Sequence, residues 1–324
     1  MVIFSFPSRG GAPSGGENSV HAMPLLLRED DVARVLQMDR VIAAVEEAFR
    51  QLGSQQAINR PRQRSTTVAG TILNVMSAAI PPLQVMGLKT YTSARGGTRF
   101  IGMLYSTDTG ELLAMIEANR LGQMRTGAAS AVATKYMARP EAGSVGIIGT
   151  GWQARSQILA ISRVRPVALV KCHSREARHR EAFAEEMVAE LATEVVPVET
   201  AADAVDGVDM IVTATTAADP VLRGEWLRPG VHINAIGSNW ANRRELDGGA
   251  VKRSDRVAVD NLEQARRECG DLIAAAEAGA LAWERVLELG QIVVGAAPGR
   301  ASAQEITLFE SQGIAIEDVT TMKL

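Results

Sequence analysis

Glycines spaced for a dinucleotide pyrophosphate end the apolar run Val145-Gly146-Ile147-Ile148 and open a helical pattern through Gly149-Thr150-Gly151-Trp152-Gln153-Ala154. For a strand turning into a helix, Gly149 permits the tight turn and Gly151 lets the backbone approach phosphates without a Cβ in the way. Ala154 keeps the helix close to the sheet, and the free amides at the helix start receive the anion. A plain strand-turn-helix uses the same small residues, so the flanks decide. Pro140-Glu141-Ala142-Gly143 breaks the chain before the strand, 156–161 has helical spacing, and a second apolar run follows at 167–172.

The end of that second strand should set the choice of cofactor, because an acidic residue there binds both ribose hydroxyls of NAD and repels the extra phosphate of NADP. The residues present are Ser174, Arg175 and Arg178, a hydroxyl and two guanidiniums that suit a 2′-phosphate. Both arginines would also serve as solvated first-turn residues. NADP is therefore preferred over NAD. Thr213-Ala214-Thr215 leaves the fourth strand of this region and Ser238-Asn239 follows the fifth; in open parallel sheets ligands bind outside the carboxyl ends of strands, so both loops should line the crevice. Asn239 stands where a polar reacting group would be useful, or serves as a turn residue.

Three further charges attract attention. Lys89 lies where apolar and polar residues alternate, which fixes its side chain on one face of a strand, although most such lysines are solvated. Arg125 precedes a helix of small residues read over 127–137, where a cation is unfavourable at the positive end of the dipole unless an anion joins it. Arg62 sits in Arg60-Pro61-Arg62.

The elements that must position these groups fall into two kinds. Before the glycine loop, 24–27 reads as a strand and 38–52 as an amphipathic helix ended by Gly53. Short extended segments follow at 71–76, 87–92, 99–105 and 111–117, separated by Pro81-Pro82, Gly96-Gly97 and Thr109-Gly110 turns. This is an antiparallel region. From Gly143 onward strands at 145–148, 167–172, 194–198, 210–214, 232–235 and 256–259 alternate with helices, the signature of a parallel sheet. The tail resumes a helical pattern over 305–311 and a short extended end over 314–319.

The bulk figures exclude several classes. A length of 324 residues exceeds one typical domain, and 46% hydrophobic with 22% charged residues describes an ordinary globule. A formal charge of −3 without a basic run gives no reason to propose nucleic acid or membrane as partner. No apolar run of about 18 residues exists to span a bilayer. Residues 1–22 read as a disordered extension and not as a signal peptide. Cys172 and Cys269, far apart, suit a reducing cytoplasm, and neither they nor the four scattered histidines have metal-ligand spacing.

Taken together, Lys89-Thr90-Tyr91, Arg125-Thr126-Gly127-Ala128-Ala129-Ser130, the glycine loop, Gly299-Arg300 and Glu305-Ile306-Thr307-Leu308-Phe309 resemble the ornithine cyclodeaminase and mu-crystallin family from about Leu25 to Asp318. The resemblance implies an α/β fold: a Rossmann-like doubly wound parallel sheet over 121–299, and a smaller α+β unit for substrate binding and dimerisation built from 23–120 plus 300–324. It implies a homodimer and a small amino- or imino-acid substrate. By position Arg62, Lys89 and Arg125 match residues that hold the substrate carboxylate and polarise its reacting centre, with Arg60 and Arg64 close competitors of Arg62. Members include cyclodeaminases, alanine dehydrogenases and ketimine reductases. Cyclodeaminases and archaeal-type alanine dehydrogenases carry an aspartate where Asn239 stands, whereas mu-crystallin-like ketimine reductases manage without one, and asparagine cannot take a proton as a carboxylate does. Reduction of a 2-imino acid, or the reverse dehydrogenation, is therefore the expected activity; a cyclodeaminase using bound NAD and a non-catalytic NADP-binding crystallin-like protein are the alternatives.

Overall fold

The computed structural model describes residues 23–94 and 97–324. The extension read over 1–22, and Gly96 of the Gly96-Gly97 turn, lie outside the described residues.

The first part runs β1 (Leu25–Leu27), α1 (Glu29–Val35), α2 (Met38–Gly53), β2 (Ile58–Thr66), β3 (Ile72–Ile80), β4 (Val85–Ala94), β5 (Gly97–Ser106), β6 (Leu112–Glu117) and α3 (Asn119–Met137). Its six strands form one sheet in the order β1-β6-β5-β4-β3-β2, antiparallel throughout except for the β1–β6 pair. The strand period of two puts Val85, Gly87 and Lys89 of β4 on its buried face. That face is covered by the helical stretch Ala315–Met322, which packs between the sheet and α2, whose Val41, Val45, Ala48 and Phe49 are fully buried at helical spacing.

The second part continues with β7 (Ser144–Ile148), α4 (Trp152–Val164), β8 (Leu169–His173), α5 (Ala177–Leu191), β9 (Glu194–Pro197), α6 (Ala201–Val205), β10 (Met210–Thr213), β11 (His232–Ala235), α7 (Gly248–Arg253), β12 (Arg256–Val259), α8 (Leu262–Glu268), α9 (Gly270–Glu277), β13 (Val286–Glu288), α10 (Leu289–Val293), β14 (Thr307–Glu310) and α11 (Ala315–Met322). Eight parallel strands take the order β13-β12-β14-β11-β10-β7-β8-β9. The order reverses between β7 and β10, the place where such sheets open a crevice for ligands.

Four expectations are corrected. The parallel sheet has eight strands where six were read. The stretch 305–311, read as helical, contains β14, which inserts between β11 and β12; all four of its residues are buried, so it lacks the alternation that marks a half-buried strand. The stretch 314–319, read as extended, belongs to α11, a helix of 8 residues buried along its whole length, whose apolar Ala315, Ile316, Val319 and Met322 share one face over too few turns for the period to stand out. The terminal segment 300–324 is therefore shared: β14 completes the parallel sheet and α11 packs on α2, α3, β3 and β4. Arg125 does not precede its helix, since α3 begins at Asn119 and carries it in the second turn. The dipole argument for Arg125 therefore fails.

Candidate active site

Between the two sheets lies a cavity of about 710 Å³ whose wall includes Arg62, Lys89, Arg125, Trp152, Gln153, Ser238 and Asn239. Seven residues read from the sequence as chemical groups thus meet in one place, although they come from β2, β4, α3, the start of α4 and the loop after β11.

Each buried cation has an anion. Lys89 Nζ donates to Asp318 Oδ1 at 2.7 Å, and Arg125 Nε donates to the same oxygen at 2.9 Å. Arg125 Nη1 reaches Glu317 Oε2 at 2.7 Å. Asp318 and Glu317 lie in the first turn of α11, so the end of the chain forms the floor of the cavity. Arg62 donates to Glu268 and to the carbonyls of Gln312 and Gly313 at 2.9 and 3.0 Å. Both terminal nitrogens of Arg62 are engaged, whereas Lys89 keeps two ammonium protons and Arg125 keeps Nη2 without a bond to any described residue. Arg64 bridges Glu268 and the Asn239 carbonyl at 2.6 and 2.8 Å, under the Trp240 ring. Arg60 lines a separate groove on the outer face of the sheet.

The electrostatics follow from burial. Loss of water, then repulsion from Arg125, pulls the Lys89 ammonium down to about 8 against the support of Asp318. Burial pushes Glu317 up to about 8 despite Arg125, and Asp260 up to about 6 despite three backbone amides. Burial also opposes the Arg125 charge, but Asp318 and Glu317 outweigh it and hold the guanidinium above its ordinary range.

On the opposite wall the glycine loop has the form read from the sequence. Gly149 has φ +102°, and a Cβ there would meet the Ala214 carbonyl oxygen at 2.4 Å. A Cβ on Gly151 would meet nothing within 4 Å. Gly151 is the N-cap of α4 and gives it no side-chain cap, so the first amides are free for an anion. Thr150 is half-buried beside them, and Ala154 is fully buried against the sheet. These features fit a dinucleotide. At the end of β8, Ser174 is half-buried; Arg178 is exposed and paired with Glu176 at 2.7 Å, and Arg175 is exposed without an ion pair among the described residues.

The loops after β10 and β11 are tied together by Glu245. Its buried carboxylate accepts from Thr213 Oγ1 at 2.8 Å, Thr215 N and Oγ1 at 2.6 Å, and Gly237 N at 2.8 Å. Thr213 is fully buried beneath the crevice, and Thr216 is the residue of its loop on the cavity wall. Asp271 holds Glu245 in turn, accepting the amides of Glu245 and Leu246 at 2.9 and 2.7 Å. Sequence reading missed Glu245, Glu268, Glu317 and Asp318. One signal was available for the last two: adjacent acids inside the apolar run Ile314-Ala315-Ile316-Glu317-Asp318-Val319 are costly to bury unless paired.

The family described as "Ornithine cyclodeaminase/mu-crystallin family" matches residues 22–324. The chain is 34% identical over 310 residues to a Delta(1)-pyrroline-2-carboxylate reductase of Bacillus cereus, covering 92% of this chain and 94% of that protein. Among solved structures it is similar to the Thermococcus litoralis Delta(1)-pyrroline-2-carboxylate reductase in complex with NADH and L-proline, with a TM-score of 0.88, 35% identity, and coverage of 92% and 95% of the two chains. It is also similar to an archaeal alanine dehydrogenase dimer with bound NAD, with a TM-score of 0.87, 32% identity, and coverage of 93% and 94%.

Proposed function

The chain belongs to the ornithine cyclodeaminase/mu-crystallin family, and from that premise we propose that it is an NAD(P)H-dependent oxidoreductase that reduces a small 2-imino acid to an amino acid, or runs the reverse dehydrogenation. The observation that carries this reading is one cavity walled by the buried Lys89 and Arg125 on one side and the uncapped start of α4 on the other.

The bound nicotinamide supplies a hydride for C2 of the substrate. Everything else falls to the chain. Arg125, with Nη2 open, holds the substrate carboxylate; Arg62, its terminal nitrogens engaged by Glu268 and two carbonyls, lends positive potential and fixes the 311–313 turn. Lys89 gives one proton to the imine nitrogen, so that C=N becomes CH–NH as hydride and proton add. Gly149 to Gln153 and the amides of α4 hold the pyrophosphate. Asn239 offers the substrate an amide that neither gives nor takes a proton in this pH range, which supports imine reduction over cyclodeamination with its repeated proton transfers.

For the cofactor, the proposal extends to a preference for NADP over NAD. Its support is Arg175, a guanidinium without an ion pair among the described residues, at the end of β8 next to Ser174, where a 2′-phosphate belongs. Loss of absorbance at the reduced-nicotinamide band tests both statements. NADPH, then NADH, is offered with preformed cyclic 2-imino acids and with 2-oxo acids plus ammonia or methylamine. Oxidation with an imino acid, faster with NADPH, is the expected result; silence across the panel defeats the reading.

A further inference from the structure

The cavity floor carries more than a counter-ion. Asp318 Oδ1 takes two charged donors at once, Lys89 Nζ at 2.7 Å and Arg125 Nε at 2.9 Å, while Oδ2 is buried without a partner among the described residues. The Lys89 and Asp318 side chains are 2% and 0% exposed, so water does not screen the contact. Lys89 sits on the buried face of β4, where it faces Arg125 from α3, Arg62 from β2 and Asp318 from α11. Among the described residues nothing else negative touches it. Glu317 reaches the far end of Arg125 instead, and Glu268 is taken up by Arg62 and Arg64. Asp260 is occupied by the amides of Asn261, Gln312 and Gly313.

We propose that Asp318 is the positioning residue of this site: it keeps Lys89 an ammonium beside two arginines and aims its remaining N–H bonds into the cavity. This rests on the role given to Lys89 above. The reason is electrostatic and steric together. Without the carboxylate, a buried ammonium faces Arg125 and Arg62 with no opposing charge, and its charged form is disfavoured both by loss of water and by like charge. With it, one oxygen fixes both the direction of Nζ and the tilt of the Arg125 plane. The C-terminal helix thereby sets the proton-donating state of a residue 229 positions earlier in the chain.

The test reads the amine directly, in cofactor-free protein. Reductive methylation with formaldehyde and cyanoborohydride is followed at Lys89 by mass spectrometry across pH in the wild type, Asp318→Asn and Asp318→Glu. The midpoint for Lys89 labelling should fall by about one to three pH units in Asp318→Asn, the usual effect of an opposite charge at contact distance, and hold near the wild-type value in Asp318→Glu, which keeps the charge. In turnover assays the alkaline limb of the pH profile should move with it, kcat falling more than KM rises. An Asp318→Asn midpoint equal to the wild type, or an equal fall in Asp318→Glu, overturns the proposal. If Asp318→Asn does not fold, Asp318→Glu decides alone: a held midpoint supports the role and a lowered one rejects it. The labelling needs no substrate, so a protein that oxidises no NAD(P)H defeats the proposed function while this measurement stands.

Discussion

At the scale of single residues, the site is a set of cations whose competence depends on which donors are left free. Arg62 and Arg125 looked equivalent in the sequence. The structure separates them by their partners, for Arg62 spends both terminal nitrogens on Glu268 and the 312–313 carbonyls while Arg125 keeps Nη2. Lys89→Met should lower kcat by about 10²–10⁴, the range for removal of a general acid, with cofactor affinity unchanged; a titration of nicotinamide fluorescence beside steady-state rates checks both halves. Lys89 acts while protonated and its ammonium is held at about 8, so kcat/KM should be constant below that value and decline as pH rises through it. A profile that rises there would assign Lys89 the opposite role. Gly151 gives a further prediction. A Cβ at this position meets nothing within 4 Å, so Gly151→Ala should leave thermal stability nearly untouched yet weaken dinucleotide binding by about tenfold or more, because the added carbon occupies the phosphate's approach. Lys89 and the glycines were legible in the sequence because strand alternation and turn chemistry are local. Asp318 was not, since its partners lie 229 and 193 positions away.

Among elements, the starts of the loops after β10 and β11 are pinned by one buried carboxylate at the far end of the β11–α7 connection. Glu245 accepts three hydrogen bonds from the two loops and one from Thr213 at the end of β10, and is itself held by Asp271. Glu245→Ala would strand Thr213, Thr215 and Gly237 donors in the interior. Each unsatisfied group costs about 1–3 kcal/mol, so urea unfolding should show a loss of several kcal/mol and cofactor titration a weakened complex; Glu245→Gln, which keeps an acceptor, should lose less of both. The strands from β7 to β12 were readable because each is a short apolar run set between turn signals or helical patterns. The last two elements were misread for different reasons: β14 buries Thr307 and Glu310 and so is not a continuous apolar run, and α11 is only 8 residues long, too short for its period to stand out. Their burial is also their function, since β14 completes the sheet and α11 carries Glu317 and Asp318 beneath the cavity.

At the scale of the whole molecule, an apolar surface stands open among the described residues. The outer face of the antiparallel sheet carries a groove lined by Ile58, Ala79, Met86, Leu88 and Tyr105, with Leu25, Leu26, Ile58, Leu73 and Leu113 among the exposed large side chains of this part of the chain. An exposed, largely apolar groove of this kind suits an interface, and we propose that the homodimer implied by the family resemblance covers it. Sedimentation at micromolar concentration should give twice the mass of one chain, and Leu88→Arg should give single chains; a wild-type monomer would contradict the dimer. The two sheets were legible as separate kinds of structure, but the sharing of the terminal segment between them was not, because strand insertion is settled by packing across the fold. The central claim, hydride transfer to C2 of a 2-imino acid in the cavity between the sheets, is tested most directly with nicotinamide cofactor deuterated at C4. The account predicts an amino acid carrying one deuterium at C2 from a cyclic 2-imino acid; a product without label, or ammonia released from ornithine with no net change in nicotinamide, would contradict it.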